Sequence, residues 1–135
     1  MKNLLFLLMF VSSSIILTQS CSVAKKTAIT TENAVSKGYA AMNPGEAIVI
    51  YKYQHPAHSP KEADKYGPQY FFSTTASSSE VLKGLTAANL KNAYPANHAF
   101  HDALDANFKT EAELINYDDF HKMYKVNRLL QSNSK

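Results

Sequence analysis

Ala47-Ile48-Val49-Ile50-Tyr51-Lys52-Tyr53 is the stretch on which the reading of the fold turns. Its β-branched and aromatic side chains suit the pleated surface of a strand, and turn or breaker residues bound it, Asn43-Pro44-Gly45 before and Pro56 after. A second strand is expected over Gln69-Tyr70-Phe71-Phe72-Ser73-Thr74. The segment between them, 55–68, is rich in Pro, Lys, His and Ala and too polar for a core, so the pair reads as a hairpin with a long exposed loop. Alternation puts Tyr51 and Tyr53 on the face of Ala47 and Val49, opposite Ile48, Ile50 and Lys52, and does not choose which face is core. Two strands alone are marginal in water, so something must cover them.

The cover is expected from the carboxy-terminal half. Thr86 can cap a helix through Tyr94, stopped by Pro95, with Leu85, Leu90 and Tyr94 inward. Asn97 can cap a second, in which Phe100, Leu104 and Phe108 recur every four residues as one apolar stripe. Thr110 with Glu113 has the spacing of a capping box for a third, with Leu114, Tyr117, Phe120 and Tyr124 inside, Asp118 as a restart point, and Val126, Leu129 and Leu130 continuing the pattern. Upstream of the strands, Thr31 can cap a short helix placing Ala34, Val35, Tyr39 and Met42 on one face, weakened by Gly38. The architecture expected is α+β, a small antiparallel hairpin or sheet packed against two to three C-terminal helices.

A chain of 135 residues has room for one such domain. Of its fourteen Lys and Arg, Lys2 precedes residue 21, and the remaining thirteen are interleaved with eleven Asp and Glu, a balance of +2. Nucleic-acid binding needs a stripe of uncompensated cations, so no nucleic-acid partner is expected.

The amino terminus is compositionally distinct. Lys2 supplies a positive start, Leu4 to Val11 and Ile15 to Leu17 an apolar run interrupted by Ser12-Ser13-Ser14, and Thr18-Gln19-Ser20-Cys21 a polar end, which together read as a signal peptide over 1–20. The run is short for a bilayer span of ~20 apolar residues. Cys21 is the sole cysteine and has no intramolecular disulfide partner. Its position after the apolar run, with small or polar neighbours and Ser22 following, resembles a bacterial lipoprotein signal, although Thr18 stands where leucine is usual and Leu17 is one residue early. Boxes ending in Ser-Cys-Ser are similar to those of Bacteroidota lipoproteins. The resemblance implies lipidation at Cys21 and membrane attachment through an N-terminal diacylglycerol cysteine in the cell envelope, and Lys25-Lys26, in place of the acidic surface-export tag that some Bacteroidota lipoproteins carry, points to a periplasm-facing location. The alternative is ordinary cleavage after Ala24, which would release a soluble secreted protein. Residues 21–31, small, polar and basic, then read as a tether, 32–131 as the folded domain and 132–135 as a frayed tail. Leu85-Thr86, Leu90-Lys91, Phe100, Leu104, Phe108, Leu114, Tyr117-Asp118 and Tyr124-Lys125 are similar to the ends of short Bacteroidota envelope proteins of unknown function, which implies location more than activity.

Residues with chemistry are few. His98 and His101, three apart on a helix, with His121 arriving from the next, would suit zinc or copper(II), with Asp102 or Asp105 nearby. The plainer reading is solvated or helix-capping histidines, and the spacing alone favours it. His55 and His58 on the exposed loop, with Lys61 and Lys65, and Tyr51 and Tyr53 on the strand, are candidates for a ligand or partner surface; variable loop residues and core packing are the simpler accounts. The serines at 77–79 lie in no Gly-x-Ser-x-Gly elbow, four glycines make no phosphate cradle, and the acid pairs Glu111/Glu113 and Asp118/Asp119 suit helix starts. No catalytic set emerges, so the expectation is a non-enzymatic membrane-anchored module that binds an unidentified envelope protein, with a histidine-dependent metal binder next and a small hydrolase last.

Overall fold

The computed structural model describes residues 28–74 and 80–134. The signal peptide, Cys21, most of the tether, the serines at 77–79 and Lys135 lie outside the described residues. The fold is α+β. In chain order it comprises α1 (Thr31–Ala34), β1 (Tyr39–Ala41), β2 (Val49–Tyr53), α2 (Pro60–Lys65), β3 (Gln69–Ser73), β4 (Lys83–Gly84), α3 (Ala87–Ala93), α4 (His98–Asn107), β5 (Tyr117–Asp118), β6 (Met123–Tyr124) and α5 (Lys125–Ser132). Two 3-10 segments, Val35–Lys37 and Glu111–Ile115, link them. β1 to β4 form an antiparallel meander in sequence order, with Val49 opposite Ser73 and Tyr51 opposite Phe71, and β5–β6 is a separate hairpin.

The decisive strand is buried on both faces, which is why its alternation could not choose one. Ile48, Ile50 and Phe72 point into the main core with Leu90, Phe100, Leu104, Leu114, Val126 and Leu130. Val49 and Tyr51 point the other way, into a smaller core with Ala34 and Leu82, against which Ile29, Tyr39 and Phe71 pack. Each fully buried Ile, Leu or Phe contributes roughly 1.5–3 kcal/mol, so the helical layer carries most of the stability.

One polar residue joins the two ends of the domain. Asn127 of α5 is 3% exposed, and its side-chain amide meets the backbone of Ile48 as a neighbouring strand would. Ile48 N donates to Asn127 Oδ1 at 2.8 Å and Asn127 Nδ2 donates to Ile48 O at 2.9 Å. Asn43, expected only as a turn residue, is buried as well: its Nδ2 also donates to Ile48 O, and its Oδ1 accepts from Ile50 N at 2.6 Å. Buried backbone polar groups must find partners. Two asparagines provide them where β2 runs out of strand neighbours.

Several expectations need correction. The first helix is a single turn capped at Thr30, and Gly38 at φ +84° reverses the chain into β1. Ala34 is buried as expected, Tyr39 belongs to a strand, Val35 is 77% exposed and Met42 lies at the surface. The tether does not extend to residue 31. Leu82 N donates to Ile29 O at 2.7 Å, Thr31 N donates to Glu80 O at 2.9 Å, and Ile29 packs on the smaller core, so the fold already includes residues 29–31. The loop after β2 contains α2, whose Ser59 Oγ accepts from Glu62 N. At the other end Asn133 N donates to Leu129 O and Ser134 Oγ to Leu130 O, so residues 132–134 are bonded to α5 rather than frayed.

The third helix is the largest departure. Thr110 caps nothing with its side chain, Glu113 Oε2 instead accepts from Lys109 N at 2.7 Å, and one 3-10 segment ends at Ile115. The chain then forms the β5–β6 hairpin before α5 starts at Lys125. Leu114 and Tyr124 are buried as expected; Tyr117 and Phe120 are exposed. The first two helices keep their expected caps: Thr86 Oγ1 accepts from Asn89 N, and Asn97 Oδ1 accepts from Phe100 N.

Candidate functional site

The residues singled out for chemistry do not assemble into one site. Tyr51 is core, packed with Ala34, Val49 and Leu82, and is no ligand surface. Tyr53 is half-buried and stacks on Tyr39 with ring centres 4.7 Å apart, while Tyr39 meets Phe71 edge-on at 5.2 Å. Burial and then the neighbouring Tyr53 push the Tyr39 hydroxyl above its ordinary range. His55 lies against Tyr66, and His58 N donates to Glu62 Oε2 at 2.9 Å; these contacts organise the loop around α2.

The three histidines named for a metal, His98, His101 and His121, are not grouped together. The His98 and His101 rings meet edge-to-face at 5.7 Å, but His101 Nε2 lies 2.9 Å from Tyr94 O. A carbonyl can only accept, so that nitrogen carries the proton, which ties the ring to the turn after α3. Asp105 is taken by Lys91 Nζ at 2.7 Å. His121 Nδ1 lies 2.9 Å from Asp118 Oδ2 on the hairpin. Among the described residues no three His, Cys, Asp or Glu side chains are grouped to hold a metal ion.

What the sequence did not disclose is the tip of the β5–β6 hairpin. Phe120 is 88% exposed, the most exposed of the large hydrophobic side chains among the described residues, and Tyr117 beside it is 46% exposed. The turn that carries it is tightly held. Asp118 Oδ1 accepts from both Phe120 N and His121 N at 3.1 Å, and Oδ2 faces the His121 ring and, at 3.2 Å, Arg128 Nε from α5. The Arg128 contact is an ion pair without hydrogen-bond alignment. The His121 backbone N–H holds the Asp118 carboxyl below the usual carboxylate range, helped by the His121 ring and Arg128 and opposed by desolvation. Below the tip, Tyr117 meets Tyr124 edge-to-face at 5.3 Å, and Lys125 N donates to Asn116 O. Lys122 closes the turn at φ +56°, a left-handed conformation that costs a non-glycine residue roughly 1–2 kcal/mol. The Asp118 bonds offset that cost.

The signal that could have found the tip is Asp118 followed by Phe120 and His121, since an aspartate that accepts from backbone two and three residues on makes an Asx turn. The spacing of Tyr117, Phe120 and Tyr124 fits a helix equally well and hid it.

At the far end of α5 an open cleft of about 760 Å³ runs between residues 94–99 and 132–134. Its walls include Tyr94, Pro95, Ala96 and Ala99, with exposed His98 at the start of α4. No helix among the described residues is long and apolar enough to cross a membrane. No protein-family model, no curated protein and no solved structure matches the chain.

Proposed function

We propose that the protein is a lipoprotein of the bacterial cell envelope, anchored through Cys21, whose small domain is a non-enzymatic interaction module for an envelope protein. The anchor rests on the sequence of residues 1–22. The observation that carries the binding role is Phe120: a phenylalanine left 88% exposed on a turn fixed by four contacts to Asp118. Folding gains nothing from such a ring, whereas a partner pocket does, because rigid aromatics are frequent binding hot spots and a preordered turn loses little entropy on docking.

Two measurements test the two halves of the reading. Mass spectrometry of protein extracted from its native membrane should find a lipid on Cys21, and Cys21→Ser should release the chain; an unmodified mature chain beginning at Lys25 would replace the anchored reading with the secreted one. Partner recovery from detergent-solubilised envelope should fall at least about tenfold for Phe120→Ser, the loss expected of a side chain worth 1.4 kcal/mol or more. Equal recovery by the variant would remove the hairpin from the binding surface.

A further inference from the structure

The two edges of the sheet are treated differently. Along β4 the outer side is taken: Leu82 N donates to Ile29 O, Thr31 N donates to Glu80 O, and Thr30 bridges Val81 in the antiparallel sense. β1 is the last strand at the other edge, and no strand lies beyond it among the described residues. Met42 N donates to Ile50 O at 2.8 Å, so by antiparallel alternation Met42 and Ala40 turn their backbone polar groups toward β2, while Tyr39 and Ala41 turn theirs outward. Native sheet edges are commonly guarded by proline, by charge or by a covering segment. Tyr39-Ala40-Ala41-Met42 carries neither proline nor charge, Ala40 and Ala41 are exposed, and Met42 is 39% exposed.

This edge is complementary to itself. Laid antiparallel about a two-fold axis between Ala40 and its counterpart, Tyr39 falls opposite Ala41 of the other copy and Ala41 opposite its Tyr39. These are the residues whose N–H and C=O groups point outward, so each pair can close two hydrogen bonds. Ala40 meets Ala40 and Met42 falls opposite Gly38, so every large side chain faces a small one or none. Further along, exposed Lys37 falls opposite Asn43, whose Nδ2 holds the Glu46 carboxylate at 2.9 Å. Opposite charges thus meet once on each side of the axis. Centring on Tyr39 instead would set ring against ring, and centring on Ala41 would set Tyr39 against Asn43 rather than alanine. From this self-match we infer that the open edge is closed by a second copy of the chain, β1 pairing with β1 about that axis and joining two four-stranded sheets into one. The contact is isologous, so it stops at two copies; it uses no residue of the hairpin tip and goes beyond the role proposed for it. Residues 38–42 of each copy bury far less than the about 1,200 Å² or more of stable complexes, so the pairing is weak, and cross-linking in cells detects what dilution would hide.

The full chain with Ala40→Cys is produced in its native host, oxidised with diamide in intact cells, and mapped by mass spectrometry, which separates position 40 from the native Cys21. Ala40 is exposed, so the substitution does not put folding at stake. Across a non-hydrogen-bonded antiparallel pair the Cα atoms lie ~4.5 Å apart, within disulfide range, so a dimer linked from position 40 to position 40 is expected. Ala41→Cys is the register control: its two copies are also displaced by about 7 Å along the strands and should link several-fold less. Lys37→Glu added to Ala40→Cys should lower the yield several-fold, and Glu46→Lys in the same chain should restore it. Absence of a link between the two positions 40 would overturn the pairing, and so would a link from position 40 only to a different protein. Equal yields from positions 40 and 41, or a Lys37→Glu effect that is absent or not rescued, would overturn the two-fold register.

Discussion

Asn127 shows how much one side chain can decide. Asn127→Leu leaves the buried Ile48 N–H without an acceptor, and an orphaned buried group costs about 1–3 kcal/mol, so urea unfolding should show a loss in that range. Asn127→Asp should be worse, since a carboxylate cannot donate to Ile48 O and would itself be buried. Phe120→Ser, at the other extreme, should shift stability by no more than about 0.5 kcal/mol. Asp118 predicts a pH dependence. Its carboxyl is held below the usual range in the folded state, so its contribution to the tip is complete above that range and disappears as the pH falls through the lowered value. Exchange of the His121 backbone amide should accelerate only in that acidic window, and Asp118→Asn should remove the dependence. None of these roles was legible in the residue types: asparagine is a turn former by default, and its use as a substitute strand depends on two segments meeting from 79 positions apart.

At the scale of elements, periodicity worked where one element had one apolar face. The helices over 87–93 and 98–107 have the expected caps, and Phe100, Leu104 and Phe108 are buried as a stripe. Phe100→Ala should cost about 3–5 kcal/mol in denaturant unfolding, a large part of what so small a domain has. His98→Ala should be nearly silent in the same measurement, while His101→Ala should cost about 0.5–1.5 kcal/mol through the lost bond to Tyr94 O. If both histidines proved silent, the His101 contact would have no structural weight. Where sequence reasoning went wrong, two structures shared one pattern. The aromatic spacing over 114–124 suits a helix, but the Asp118 turn competes locally with helical hydrogen bonds and prevails. The candidate site was hidden by the same substitution of a hairpin for a helix.

For the whole molecule, the α+β layering could be read from the order of strand-like and helical segments, but the second core could not. It is assembled from Ala34, Leu82 and Ile29, short segments without a period of their own that gain meaning only once β2 is seen to be buried on both faces. A chain starting at residue 28 should therefore unfold cooperatively like the full protein, whereas one starting at residue 36 should lose cooperativity or much of its stability, because it lacks the Ile29 bond to Leu82 and the buried Ala34. Circular dichroism during thermal unfolding separates the outcomes; equal behaviour of the two chains would mean that the smaller core is dispensable.

The bond between Asn127 and Ile48 also imposes an order of events on synthesis. The sheet emerges first, yet the apolar face of Ile48, Ile50 and Phe72 is sealed by side chains that include Val126 and Leu130 of α5, which are made well after it. A nascent chain thus carries an uncovered hydrophobic surface until α5 has been made, and cannot settle into its final shape piecemeal before then. Any product that stops before α5, by stalled translation or by clipping within it, keeps that surface open and is exposed to holding chaperones and proteases, so α5 acts as the latch on which the fate of the sheet depends.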